Sequence, residues 1–138
     1  MKAPLYTEIL TICQEIANAS TAENDELRLA ACKKLQVLCA TNQNSPKDHP
    51  LQWEALADFT DDGDQAIDIY QVAIATAEKL ALPIFIASAY LAIAQRYNEF
   101  DEQEKALEFA NKADEAALNV DSVELKAEIS EFLAELTK

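Results

Sequence analysis

The side chains able to do chemistry in this 138-residue chain are mostly carboxylates. There are 25 Asp and Glu against 11 Lys and Arg, with one histidine and three cysteines. Nucleophilic catalysis needs a base beside its nucleophile, and His49 has no Ser or Cys at a useful spacing. Cys32, Cys39 and His49 match no zinc pattern, because the chain holds no C-x2–4-C or H-x3–5-H pair. The run Asp58-x-Thr60-x-Asp62-Gly63-Asp64 has the outline of an EF-hand loop, but its twelfth position is Ile69, where bidentate coordination needs Glu. It reads instead as a helix stop whose acids complement the dipole of the next helix. The other carboxylates fall on amphipathic helices, where they form the wet face. Trp53, Tyr70 and Phe85 are expected in the core rather than in a ligand cage. No enzyme, metal or cofactor is expected from this inventory.

The elements that position these residues must be helices. Ala, Leu, Glu, Gln and Lys, all strong helix formers, dominate. The single glycine argues against a hairpin-rich sandwich, a Rossmann fingerprint or a P-loop, each of which needs several glycines. Seven segments show helical periodicity, at about 4–19, 22–40, 50–60, 64–81, 83–98, 101–117 and 121–137. Ser20 with Glu23, Asp101 with Glu104 and Asp121 with Glu124 have the spacing of capping pairs. Residues 41–49, TNQNSPKDH, form the one clear loop, and Pro50 suits the first turn of the helix after it. The fifth segment is apolar nearly all round, with Ser88 its only polar side chain from Ile84 to Ala94, so it belongs in the middle of the fold. In the seventh, Leu125, Ile129, Phe132, Leu133 and Leu136 face inward. Short connections force antiparallel neighbours, so the expected fold is all-α, a row of helical hairpins. Residues 1–138 make a single domain: an N-terminal hairpin (1–40), the loop (41–49), two hairpins (50–117) and an end helix (121–137).

Charge is distributed unevenly. Residues 1–57 carry a net −2 and residues 58–138 a net −12, within a total of −14. A field of that sign disfavours a phosphate backbone and favours a basic partner. The most apolar run, Leu80 to Ala94, has 15 residues and contains Pro83, short of the ~18–20 that span a bilayer. Cys32 and Cys39 lie seven apart on one helix, so their Cα atoms are about 10 Å apart, beyond disulfide reach. Reduced core thiols and a cytoplasmic location, with no membrane contact, are expected.

Internal repetition is the most specific signal. Ala66, Tyr70 and Ala73 recur forty residues later as Ala106, Ala110 and Ala113, at the same i, i+4, i+7 spacing. Upstream of the second triplet lies Tyr90-x-x-Ile93-Ala94-x-x-Tyr97, and upstream of the first lie Trp53, Leu56 and Ala57. Residues 50–117 resemble the tetratricopeptide repeat (TPR) family on these positions. The chain departs from that pattern at Ala110, where the family has an aromatic, and at Leu118, where it often has proline. Trp53 to Ala66 is three residues short, and the forty-residue period exceeds the family's ~34.

The resemblance implies a short right-handed array of TPR-like hairpins with a C-terminal capping helix. It also implies a non-enzymatic module that binds a protein or peptide in a concave groove. Carried over residue by residue, the groove positions are Glu54, Asp58, Ser88, Leu91, Gln95, Asn98 and Glu99. With few basic residues there, the acidic chaperone tails that some family members clamp are poor ligands, and a basic partner fits better. Two further roles are compatible with the sequence. One is a dedicated inhibitor, immunity protein or chaperone of a basic toxin or effector. The other is an enzyme or small-ligand pocket between helices. On this reading Glu54, Asp58 and Glu99 face the groove, whereas Glu128 and Glu135 lie on the outer end helix.

Overall fold

The computed structural model describes residues 3–138. Seven α-helices follow one another without a strand among the described residues. They are α1 (Tyr6–Thr21), α2 (Asp25–Asn42), α3 (Pro50–Asp58), α4 (Gly63–Leu80), α5 (Pro83–Glu99), α6 (Gln103–Ala116) and α7 (Val123–Leu136), with a 3₁₀ turn at Ala117–Asn119 before the last. Each sequence-predicted helix is present, its ends displaced by no more than three residues. Consecutive helices pack together as α1 on α2, α3 on α4, α4 on α5, α5 on α6 and α6 on α7. The odd-numbered helices α1, α3 and α5 also touch, which makes the molecule a short array of antiparallel hairpins closed by a C-terminal helix.

Small side chains set the spacing of the array. Ala66, Ala73, Ala106 and Ala113 are all but sealed from solvent, beside Ala57, Ala77, Ala89, Ala94 and Ala110. Methyl-sized contacts let helix backbones approach closely, and larger residues fill the gaps between them. Trp53, Leu56 and Leu35 join α1, α2 and α3. Tyr70, Ile93 and Phe109 join α4, α5 and α6. As its apolar composition requires, α5 is the central helix and contacts α3, α4, α6 and the 3₁₀ turn.

Helix ends differ from the sequence expectation in an instructive way. Ser20 remains inside α1 and Glu23 does not begin α2; the cap is Asn24, whose side chain accepts from the Leu27 N–H. Likewise Ser122, not Asp121, caps α7 by accepting from the Leu125 N–H. No side chain caps α6, which starts after Asp101 in a left-handed conformation. The displacements at α2 and α6 share a cause. Glu23, Ala81 and Asp101, at φ 54°, 54° and 60°, end α1, α4 and α5 in a left-handed turn. At each, the next N–H bonds back to a carbonyl five residues earlier: Asn24 to Ala19, Leu82 to Ala77 and Glu102 to Tyr97. Helix ends commonly use glycine for this geometry, and this chain uses a glutamate, an alanine and an aspartate instead.

The one glycine serves close approach rather than turn geometry. Gly63 opens α4 after the Asp62 cap, and a Cβ there would lie 2.2 Å from the Phe100 ring at the end of α5. The loop before α3 is organised by Asp48. Its Oδ2 accepts from the Asn44 N–H, and its Oδ1 accepts from Trp53 Nε1 and Gln52 Nε2. His49 then caps α3, its Nδ1 accepting from the Leu51 N–H, with Pro50 in the first turn. All three cysteines are free: Cys39 is buried, while Cys13 and Cys32 are half-buried. The Cys39 thiol donates to the Gln52 carbonyl, and burial pushes it up to about 12, so it is no nucleophile at neutral pH.

Candidate functional site

A polar strip runs along the contact of α3 with α5, in a region otherwise built of alanine and leucine. Glu54 and Asp58 are one turn apart on α3, so they share a face. Each finds a hydroxyl on a neighbouring helix: Ser88 on α5 donates to Glu54, and Tyr70 on α4 donates to Asp58. Arg96, two turns beyond Ser88 on α5, donates to the Ala57 and Thr60 carbonyls at 3.3 and 3.0 Å. Those carbonyls close the C-terminal end of α3, where a cation also complements the helix dipole.

The strip is electrostatically unusual. Burial raises Glu54 from 4.5 to about 7; the Ser88 hydrogen bond opposes this and the nearby Asp58 charge adds to it. Burial therefore leaves Glu54 partly protonated near neutral pH. Asp58 is also raised by desolvation around its bonded oxygen, although the residue has an exposed side; Tyr70 and Arg96 pull it back. The Tyr70 hydroxyl is pushed up by burial and by its bond to Asp58, so it stays protonated and acts as a donor. Hydroxyl donors favour the carboxylate forms of both residues and the Arg96 charge adds to this at Asp58, while burial opposes the charge on each.

Beyond Ser88 the strip opens into a pocket of about 280 Å³. Its walls are Glu54 from α3, Ile84, Phe85 and Ser88 from α5, and Ser122, Glu124, Leu125 and Glu128 from the start of α7. The edge of the Phe85 ring is fixed by His49, with centroids 5.1 Å apart. Three carboxylates and two hydroxyls thus surround an apolar floor. Cavities that take drug-sized ligands run roughly 300–1,000 Å³, and this one, at the lower edge of that range, has room for a long side chain. Among the described residues no group of His, Cys, Asp and Glu is placed to hold a metal.

Of the residues expected to line a groove, the structure brings only Glu54 and Ser88 together in this pocket. Asp58 adjoins them along α3. Gln95 and Glu99 are exposed but lie about 10 and 16 Å farther along α5 from Ser88 at 1.5 Å per residue, with Asn98 half-buried between them. Leu91 is not presented at all: it is 3% exposed and packs with Ala87, Ala113, Ala117 and Ile129. In the other direction, Glu128 lies on the end helix as expected, and the start of that helix also lines the pocket with Glu54. Ser122, Glu124, Leu125 and Glu128 were not anticipated as pocket residues. Their one-face spacing from 124 to 128 is visible in the sequence, but which way that face points depends on how α7 docks. No helix is long and apolar enough to cross a membrane among the described residues. Compared with known proteins, the chain matches no family model, and no curated protein is similar to it in sequence.

Proposed function

We propose that this chain is a TPR-like, non-enzymatic module that binds a basic segment of a protein partner. The pocket between α3, α5 and α7 receives a Lys or Arg side chain of that segment. The observation that carries this reading is the pocket's composition: Glu54, Glu124 and Glu128 around Phe85, Ile84 and Leu125. A long cationic side chain suits such a site, since its methylenes pack on the apolar floor while its charge meets the acids. The partial protonation of Glu54 supports the same reading, because a partner cation drawn beside it favours the carboxylate form. Binding then takes up charge that folding leaves uncompensated.

The test uses Lys- and Arg-bearing peptides as probes and records amide shifts of the labelled protein. Saturable shifts confined to the neighbourhood of Glu54, Ser88, Glu124 and Glu128, and lost in a Glu124→Lys/Glu128→Lys variant, are expected. Shifts scattered over every acidic helix, without saturation, would show that the acidity serves solubility alone.

A further inference from the structure

The opposite end of the array carries a second, chemically different groove. Along the outer face of the α1/α2 hairpin runs a cleft of about 610 Å³, lined by Glu8, Thr11 and Ile12 on α1 and by Ala30, Lys33 and Val37 among others on α2. A further depression of about 440 Å³, walled by Glu15, Ala19 and Leu27, continues it toward the hairpin turn. Val37 and Leu27 stand open to solvent along it, 52% and 60% exposed, above a buried base that includes Ile12 and Ala19. At the other end of the array, α7 lies over α6 and the corresponding face is covered.

The rims of this groove differ in sign. On the α1 side the charged residues are Glu8 and Glu15; on the α2 side they are Lys33 and Lys34. Lys34 reaches across to Glu15 at 2.9 Å, whereas Glu8 and Lys33 form no ion pair among the described residues. A two-fold axis along the groove lays α1 of one copy over α2 of the other, so each acidic rim meets a basic one. Such a surface is self-complementary, the condition for a closed isologous dimer. The wider charge distribution favours the same arrangement. Two chains of net −14 repel, but α1 and α2 together carry only a net −1, so contact here keeps the strongly acidic halves apart.

We propose that the chain forms a reversible homodimer through the outer face of α1 and α2, building a four-helix contact between copies. Helices of 16 and 18 residues are about 24–27 Å long, and two side by side present a strip about 20 Å wide. That is roughly 500 Å² per copy, or about 1,000 Å² in total, at the lower limit for a specific interface. A weak dimer that responds to concentration follows from this area. It leaves the α3/α5/α7 pocket of each copy free.

Sedimentation equilibrium of the full chain from micromolar to millimolar concentration tests this, with two charge variants. Lys33→Glu/Lys34→Glu makes both rims acidic, and Glu8→Lys/Glu15→Lys makes both basic. The wild type is expected to pass from monomer to dimer mass, each variant alone to stay monomeric, and an equimolar mixture of the two to form a heterodimer. Circular dichroism confirms that the variants fold, and Val37→Asp, which touches no ion pair, should independently abolish the dimer. A wild type that stays monomeric throughout overturns the proposal. So does a dimer indifferent to Val37→Asp, or a mixture that fails to associate.

Discussion

Glu54 makes folding stability depend on pH in a direction opposite to that of an ordinary paired carboxylate. Its folded-state value of about 7 lies above the ordinary 4.5 because burial disfavours the charge. A raised acid contributes full stability below the unfolded value and loses it as pH rises through the folded one. The loss therefore develops between pH 4.5 and about 7 and is complete above that. At 1.36 kcal/mol per pH unit, the interval corresponds to on the order of 3 kcal/mol. Glu54→Gln keeps an acceptor for the Ser88 hydroxyl and removes the titration. Relative to wild type, the variant should match it near pH 4.5 and exceed it by a few kcal/mol at pH 8, roughly 10 °C in melting temperature for a chain this long. Urea unfolding of both proteins from pH 4.5 to 8.5 measures the difference directly. A difference that is flat with pH, or a variant less stable than wild type at pH 8, would refute the reasoning.

Three further outcomes follow from the packing and the turns. Ala81→Gly relieves a left-handed residue at the end of α4 and should add about 1 kcal/mol, read as a shift of the urea midpoint. Ala106→Leu or Ala113→Leu, at positions with no exposed surface, should cost ~1–3 kcal/mol through overpacking, read as a fall in melting temperature. Burial holds His49 below its ordinary 6.5, so its contribution is present above that value and lost as pH falls through the folded one; His49→Asn, which keeps a capping acceptor, should reduce that acid-side loss in an unfolding titration.

The fold was legible in the sequence because its main devices are local. Helix-forming composition, short connections and the recurring alanines at 66, 73, 106 and 113 each constrain neighbours within one or two turns, and the structure buries all four alanines. The helix ends were harder. Ser20 and Glu23 have capping-box spacing, yet the left-handed turn at Glu23 carries α1 past Ser20 and hands the cap to Asn24. Both motifs use the same residue types, and the choice depends on how the hairpin closes. The pocket was half legible. Glu54 and Ser88 came from the TPR resemblance, position by position, but their direct hydrogen bond joins residues 34 apart and depends on helix packing. Leu91 was misplaced because its burial turns on α7, whose Ile129 packs with it, and the docking of the same helix brings Glu128 to the pocket. Arg96 gave no signal, since its partners are backbone carbonyls.

The claim that the α3/α5/α7 pocket captures a basic side chain is tested most directly by calorimetric titration of an Arg-bearing peptide into wild type and into Glu128→Gln. Measurements across a range of salt concentrations separate pocket binding from general attraction. The account predicts one site per chain, affinity that falls as salt shortens the Debye length to about 10 Å at 0.1 M, and at least a tenfold loss on removing the Glu128 charge. Equal affinity in the two proteins at every salt concentration would contradict it.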